Sequence, residues 1–71
     1  MLLSAAERQV LNTYRQYLIT PGQMLCFSGP DLERNKRTLE LMSGKELLTK
    51  ESFDWGYFLT KAGFAAMNAS D

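Results

Sequence analysis

Arg34, Asn35, Lys36 and Arg37 place three cations and one amide at four consecutive positions of a 71-residue chain. A guanidinium can bind guanine through two parallel hydrogen bonds, an Asn amide can read adenine, and each cation can hold a phosphate. Lys50 could support such a contact from a later element. The same run also reads as a solvated helix face, with Glu33 paired to Lys36 and Arg37, and Asp31 and Glu33 would repel phosphate. A second group is aromatic. Phe53 and Trp55 lie in the segment "KESFDWG", whose Glu51 and Asp54 make it net acidic. Tyr14 and Tyr17 lie in an apolar-periodic segment. Aromatic side chains are enriched among interface hot spots, so these four are either core or a protein-contact surface. One of Phe53 and Trp55 is expected in the core and the other against a partner.

Other chemistry finds little footing. Histidine is absent, and neither a nucleophile–base spacing nor a phosphate-cradling glycine loop is present. Cys26 is the only cysteine, which rules out an intrachain disulfide and a thiolate metal cluster. With no basic residue within three positions to lower its pKa, Cys26 is expected to be a small buried apolar group. The chain is therefore not expected to be an enzyme or to hold a metal or cofactor.

The elements that must position these residues follow from spacing and capping. Residues 4–19 predict a first helix: Ser4 and Glu7 form a capping box, and Val10, Leu11, Tyr14, Tyr17 and Leu18 make one apolar stripe. Pro21 is expected to end it. Residues 20–27, "TPGQMLCF", predict a second, short, buried helix with Thr20 as N-cap, Pro21 at its first position and Gln23 as capping partner. "SGP", 28–30, predicts a turn. Residues 30–44 predict a third helix, from Pro30 to a cap at Gly44, with Leu32, Leu39 and Met42 inward. Residues 46–51 and 56–60 predict the two strands of a hairpin. Thr60 is then expected to cap a last helix, to about Asn68, with Phe64 and Met67 laid against the first helix. Met24, Met42 and Met67 read as core filler.

Size and charge bound the rest. A chain this short is one domain, and it buries only about 60% of its unfolded surface. Eight basic and eight acidic residues give no net charge. Global charge thus lends nucleic-acid binding no support and leaves little self-repulsion, so a homodimer is an open expectation. "MLLSAAERQVLN" lacks the basic lead and apolar run of a signal peptide, and no segment approaches the ~20 apolar residues of a membrane span. A cytoplasmic protein without membrane association is expected.

The end of the chain, "GYFLTKAGFAAM" (56–67), resembles the tail of winged helix-turn-helix regulators of the MarR and PadR kind. There a wing strand ends in Leu-Thr, a glycine follows three residues after the threonine, and a helix begins; Leu59, Thr60 and Gly63 carry the likeness. "LELMSGKELL" (39–48) is similar to the junction of recognition helix and wing, with Glu46 where those sequences usually carry glycine. The resemblance implies an α+β, mainly α, fold: three helices, a two-stranded β-hairpin wing and a short C-terminal helix. It further implies a small regulator or accessory factor, of phage or mobile-element type, that binds double-stranded DNA as a dimer. Arg34, Asn35, Lys36 and Arg37 would face the duplex, with Lys50 on the wing. The alternative is a winged-helix module that binds a host protein through Phe53, Trp55, Tyr14 and Tyr17.

Overall fold

A computed structural model describes residues 3–52 and 55–69. Three helices and three strands alternate along the chain: α1 (Ala5–Gln16), β1 (Met24–Cys26), α2 (Gly29–Gly44), β2 (Leu48–Lys50), β3 (Gly56–Leu59) and α3 (Lys61–Ala69). The strands form one antiparallel sheet in the order β1-β3-β2, with Leu25 opposite Tyr57 on one side of β3 and Lys50 opposite Tyr57 on the other. The fold is α+β and mainly helical, as expected, but two elements differ from the expectation. There is one helix fewer and one strand more.

The difference lies in residues 20–27. They form a turn and a strand, not a short helix. The Thr20–Gln23 contact does form: Thr20 N donates to Gln23 Oε1 at 2.8 Å, and Gln23 N donates to Thr20 O at 3.0 Å. These bonds close a tight turn with Pro21 at its second position and Gly22 at φ +90°, the type II pattern that needs glycine there. A residue at that φ cannot continue a helix, so the chain leaves extended. Leu59 N donates to Gln23 O at 3.0 Å and Phe27 N to Trp55 O at 2.7 Å, so β3 becomes its partner.

The first helix also stops earlier than Pro21 requires. Its start is the predicted capping box, with Ser4 N donating to Glu7 Oε1 at 2.8 Å and Glu7 N to Ser4 Oγ at 3.1 Å. Its end is a Schellman motif. Leu18 N donates to Arg15 O and Ile19 N to Tyr14 O, both at 3.0 Å, while Leu18 adopts φ +56°. The apolar stripe therefore ends at Tyr14. Tyr17 and Leu18, expected on it, are turned into solvent.

α2 ends the same way. Glu46 N donates to Ser43 O at 3.1 Å, Leu47 N to Met42 O at 2.9 Å, and Glu46 sits at φ +65°. Glutamate thus occupies the left-handed position that glycine fills most cheaply. The reversal drops Leu47 and Leu48 into the core. Thr60 then locks it. Its hydroxyl donates to Glu46 O at 2.7 Å and Leu47 O at 2.8 Å, and accepts from Gly63 N at 2.9 Å as the N-cap of α3. Gly63 lies directly under Leu47: a Cβ there would overlap the Leu47 carbonyl oxygen and come within 2.9 Å of Leu59 Cδ1. The Leu-Thr-x-x-Gly spacing is thus a staple between the end of α2 and the start of α3.

The core lies between the helices and one face of the sheet. Val10, Leu11 and Tyr14 from α1 meet Leu39 and Met42 from α2, Leu59 from β3 and Met67 from α3. Phe64 packs at its edge. Phe27 stands between two tyrosines, 6.1 Å from Tyr14 and edge-on to Tyr57 at 6.4 Å. Tyr14 Oη donates to Tyr57 O at 2.8 Å in this dry interior, and burial pushes its pKa well up. Met42 and Met67 are core filler as expected, whereas Met24 is only half-buried. Cys26 is exposed, contrary to expectation. In a strand alternate side chains face opposite ways; Leu25 and Phe27 turn toward the core, so Cys26 between them turns out.

Candidate functional site

The predicted basic run lies in the middle of α2, and its residues point to different sides of the helix. Leu32, Asn35, Leu39 and Met42 define the inward side of this helix. Residues two apart on a helix point to different sides, so Arg34 and Lys36 flank that inward side and Arg37 stands opposite it. Arg34 Nη1 lies 3.5 Å from Asp31 Oδ1. Asn35 Nδ2 donates to Asp31 O at 2.9 Å, which folds its amide back onto its own helix. Across α2, Asp31, Glu33 and Glu40 match Arg34, Lys36 and Arg37. Leu41, large and apolar, is exposed on the same outward side as Arg37. Lys50 is exposed at the end of β2. The mixed signs come from the sequence itself, and the Arg34–Asp31 pair forms because Asp31 precedes Arg34 by about one helical turn.

The aromatic candidates separate as well. Tyr14 is buried and belongs to the core. Tyr17 is 65% exposed and Trp55 51% exposed. Phe53 lies outside the described residues, as does Asp54. Trp55 is joined to the end of the β1 segment through its carbonyl, which accepts from Phe27 N.

A groove runs between the two long helices. Gln9, Thr13 and Tyr17 of α1 form one wall, and Asp31, Arg34 and Asn35 of α2 form the other. Leu25, Cys26 and Phe27 of the β1 segment lie between them. Its volume is about 310 Å³. Leu18, next to Tyr17, is 82% exposed. Sequence periodicity missed Leu18 because a helix continued to Pro21 would have put it inside. No glycine marks the left-handed turn that puts it outside. The groove depends on Met24–Cys26 being a strand, which local spacing did not indicate.

One buried charge has a purely architectural position. Glu7 is 2% exposed. One carboxylate oxygen accepts from Ser4 N, and the other accepts from Lys45 Nζ at 2.7 Å. This pair ties the start of α1 to the end of α2. The Lys45 hydrogen bond holds the Glu7 carboxyl below its ordinary pKa of 4.5, outweighing the opposing effect of burial.

Among the described residues, no three His, Cys, Asp or Glu side chains group so as to hold a metal ion. No helix among them is long and apolar enough to cross a membrane. Comparison with known proteins finds no matching family model, no matching curated protein and no matching solved structure.

Proposed function

We propose that this domain is a winged-helix-like protein-interaction module, and that its contact surface is the groove between α1 and α2 with Tyr17 and Leu18 on the rim. The winged-helix likeness is supported by the order of the second half, in which α2 turns directly into the β2–β3 hairpin and then into α3. It is also supported by the Thr60–Gly63 staple that closes that order.

The observation that carries the functional reading is Leu18. A leucine that is 82% exposed and held at φ +56° accepts two unfavourable conditions at once. Left-handed backbone costs a non-glycine residue roughly 1–2 kcal/mol, and an exposed leucine forgoes its burial. Strained, exposed residues of this kind cluster at functional surfaces. Tyr17 beside it supplies the large amphipathic contact typical of interface anchors.

A second reading is double-stranded DNA binding through α2. It is favoured by one observation: Lys36 and Arg37 are exposed on α2, which leads straight into the hairpin, and Lys50 is exposed on the hairpin's first strand. Against it, α2 carries as many acids as bases, and Arg34 and Asn35 are engaged with Asp31.

The two readings part in an NMR titration with mixed-sequence duplex at low and moderate salt. The interaction reading predicts no salt-sensitive shifts at residues 34–37 or 50. Shifts confined to those residues, fading as salt rises, would overturn it in favour of DNA.

A further inference from the structure

We infer that the groove takes an extended segment of a partner protein, which adds to the sheet as a fourth strand alongside β1. This rests on the protein-interaction reading and specifies how the partner is held.

In an antiparallel pair, residues alternate between those bonded to the neighbouring strand and those facing away from it. Leu59 N bonds to Gln23 O and Phe27 N to Trp55 O, and the register pairs Leu25 with Tyr57. Gln23, Leu25 and Phe27 therefore face β3. Met24 and Cys26 turn their N–H and C=O groups to the opposite edge. β1 is an edge strand in the order β1-β3-β2, so that edge carries an open row of donors and acceptors, which is a template for strand addition.

The β1 segment lines the same groove as α1 and α2. A second copy would bring the same two helices alongside its own β1 edge, which leaves it less room to approach than a single strand needs. A slender extended peptide can enter. Its side chains would alternate between the groove, which Tyr17 lines, and the outer surface.

The α1 wall is uncharged, with Gln9, Thr13 and Tyr17. On the α2 wall Asp31 and Arg34 lie 3.5 Å apart and offset each other. A neutral groove complements a segment without net charge and offers a polyanion nothing.

The test pans the full chain against a displayed library of linear peptides of about seven residues, the span of a short strand. Selected peptides are then synthesised and titrated against labelled protein. The expected result is that bound peptide shifts the Met24 and Cys26 amides and slows their exchange with solvent by about tenfold or more. Cys26→Pro should abolish binding with the sheet intact, since that N–H faces away from β3 and proline is tolerated on such an edge. Should Cys26→Pro fail to fold, N-methylation of alternate peptide amides, tested on the wild-type protein, must abolish binding instead.

Peptides that shift Tyr17 and Leu18 but leave the Met24 and Cys26 amides exchanging freely would overturn strand addition while leaving the interaction reading standing. Failure to select any peptide, or binding that survives both Cys26→Pro and N-methylation, would also overturn it. So would a dimer in which these amides are already protected without peptide.

Discussion

Two helices of this domain end in the same backbone motif, yet their surroundings differ. After α2, Glu46 turns left-handed and the chain falls straight into the core through Leu47 and Leu48, clamped by Thr60 and underlain by Gly63. After α1, Leu18 turns left-handed and the chain runs over the surface to a glycine-bearing turn, with Tyr17 and Leu18 exposed. The first reversal is followed by two buried leucines and clamped by a hydroxyl, whereas the second leaves Tyr17 and Leu18 in solvent before Ile19 returns to the core edge. The same local geometry therefore serves architecture at one end of the molecule and, on the proposed reading, a contact surface at the other. Packing, not backbone shape, tells the two roles apart.

The largest expected effect attacks the packed reversal. Gly63→Ala forces a methyl into the Leu47 carbonyl and should destabilise the domain by about 3 kcal/mol, a fall in Tm on the order of 15 °C. A melt within a few degrees of wild type would show that the staple is looser than drawn. Next, Lys45→Met leaves the buried Glu7 carboxylate without its cation. Because Lys45 is itself partly exposed, the loss should be about 1–2 kcal/mol at neutral pH.

The sign of the pH dependence follows from the lowered Glu7 pKa. Stability from this pair is present above the ordinary value of 4.5 and is lost as pH falls through the lower folded-state value. Chemical denaturation between pH 3 and 7 should therefore show a steeper acid loss in wild type than in Glu7→Gln. Identical slopes would remove the pair from the account. Tyr14→Phe deletes the buried hydroxyl bond to Tyr57 O and should lower stability by about 1–1.5 kcal/mol, measured in the same titrations.

The smallest effect sharpens the comparison most. Glu46→Gly and Leu18→Gly should each stabilise by about 0.5–1 kcal/mol, since relief of the left-handed strain is partly offset by the greater freedom of the unfolded glycine. Paired melts check this. Partner binding should survive the first substitution and be weakened by the second.

How much of this was legible depended on range. The Ser4–Glu7 capping box and the Thr60 cap follow from residues three positions apart, and both stand where spacing put them; Pro30 falls one residue inside α2 instead of at its first position, and the hairpin forms with its first strand shortened from 46–51 to Leu48–Lys50. Residues 20–27 were not legible, because a short apolar run such as Met24–Phe27 fits a buried helix or a strand equally well. What decided it was β3, more than thirty positions away in sequence, together with a φ at Gly22 that no helix tolerates. The mixed charge of α2 was legible in its sequence, and the offset of Arg34 by Asp31 followed one helical turn away. The exposure of Tyr17 and Leu18 was not, since nothing local marks a leucine for the left-handed region.

The central claim, that the open side of the molecule meets a protein, is tested most directly by photo-cross-linking in the cells that make it. A photoreactive residue is placed at Tyr17 in one variant and at Arg37 in another, and the adducts are identified by mass spectrometry. The account predicts one recurrent protein adduct from position 17, lost on Leu18→Gly, and no nucleic-acid adduct from position 37. DNA recovered from position 37, with position 17 silent, would contradict it.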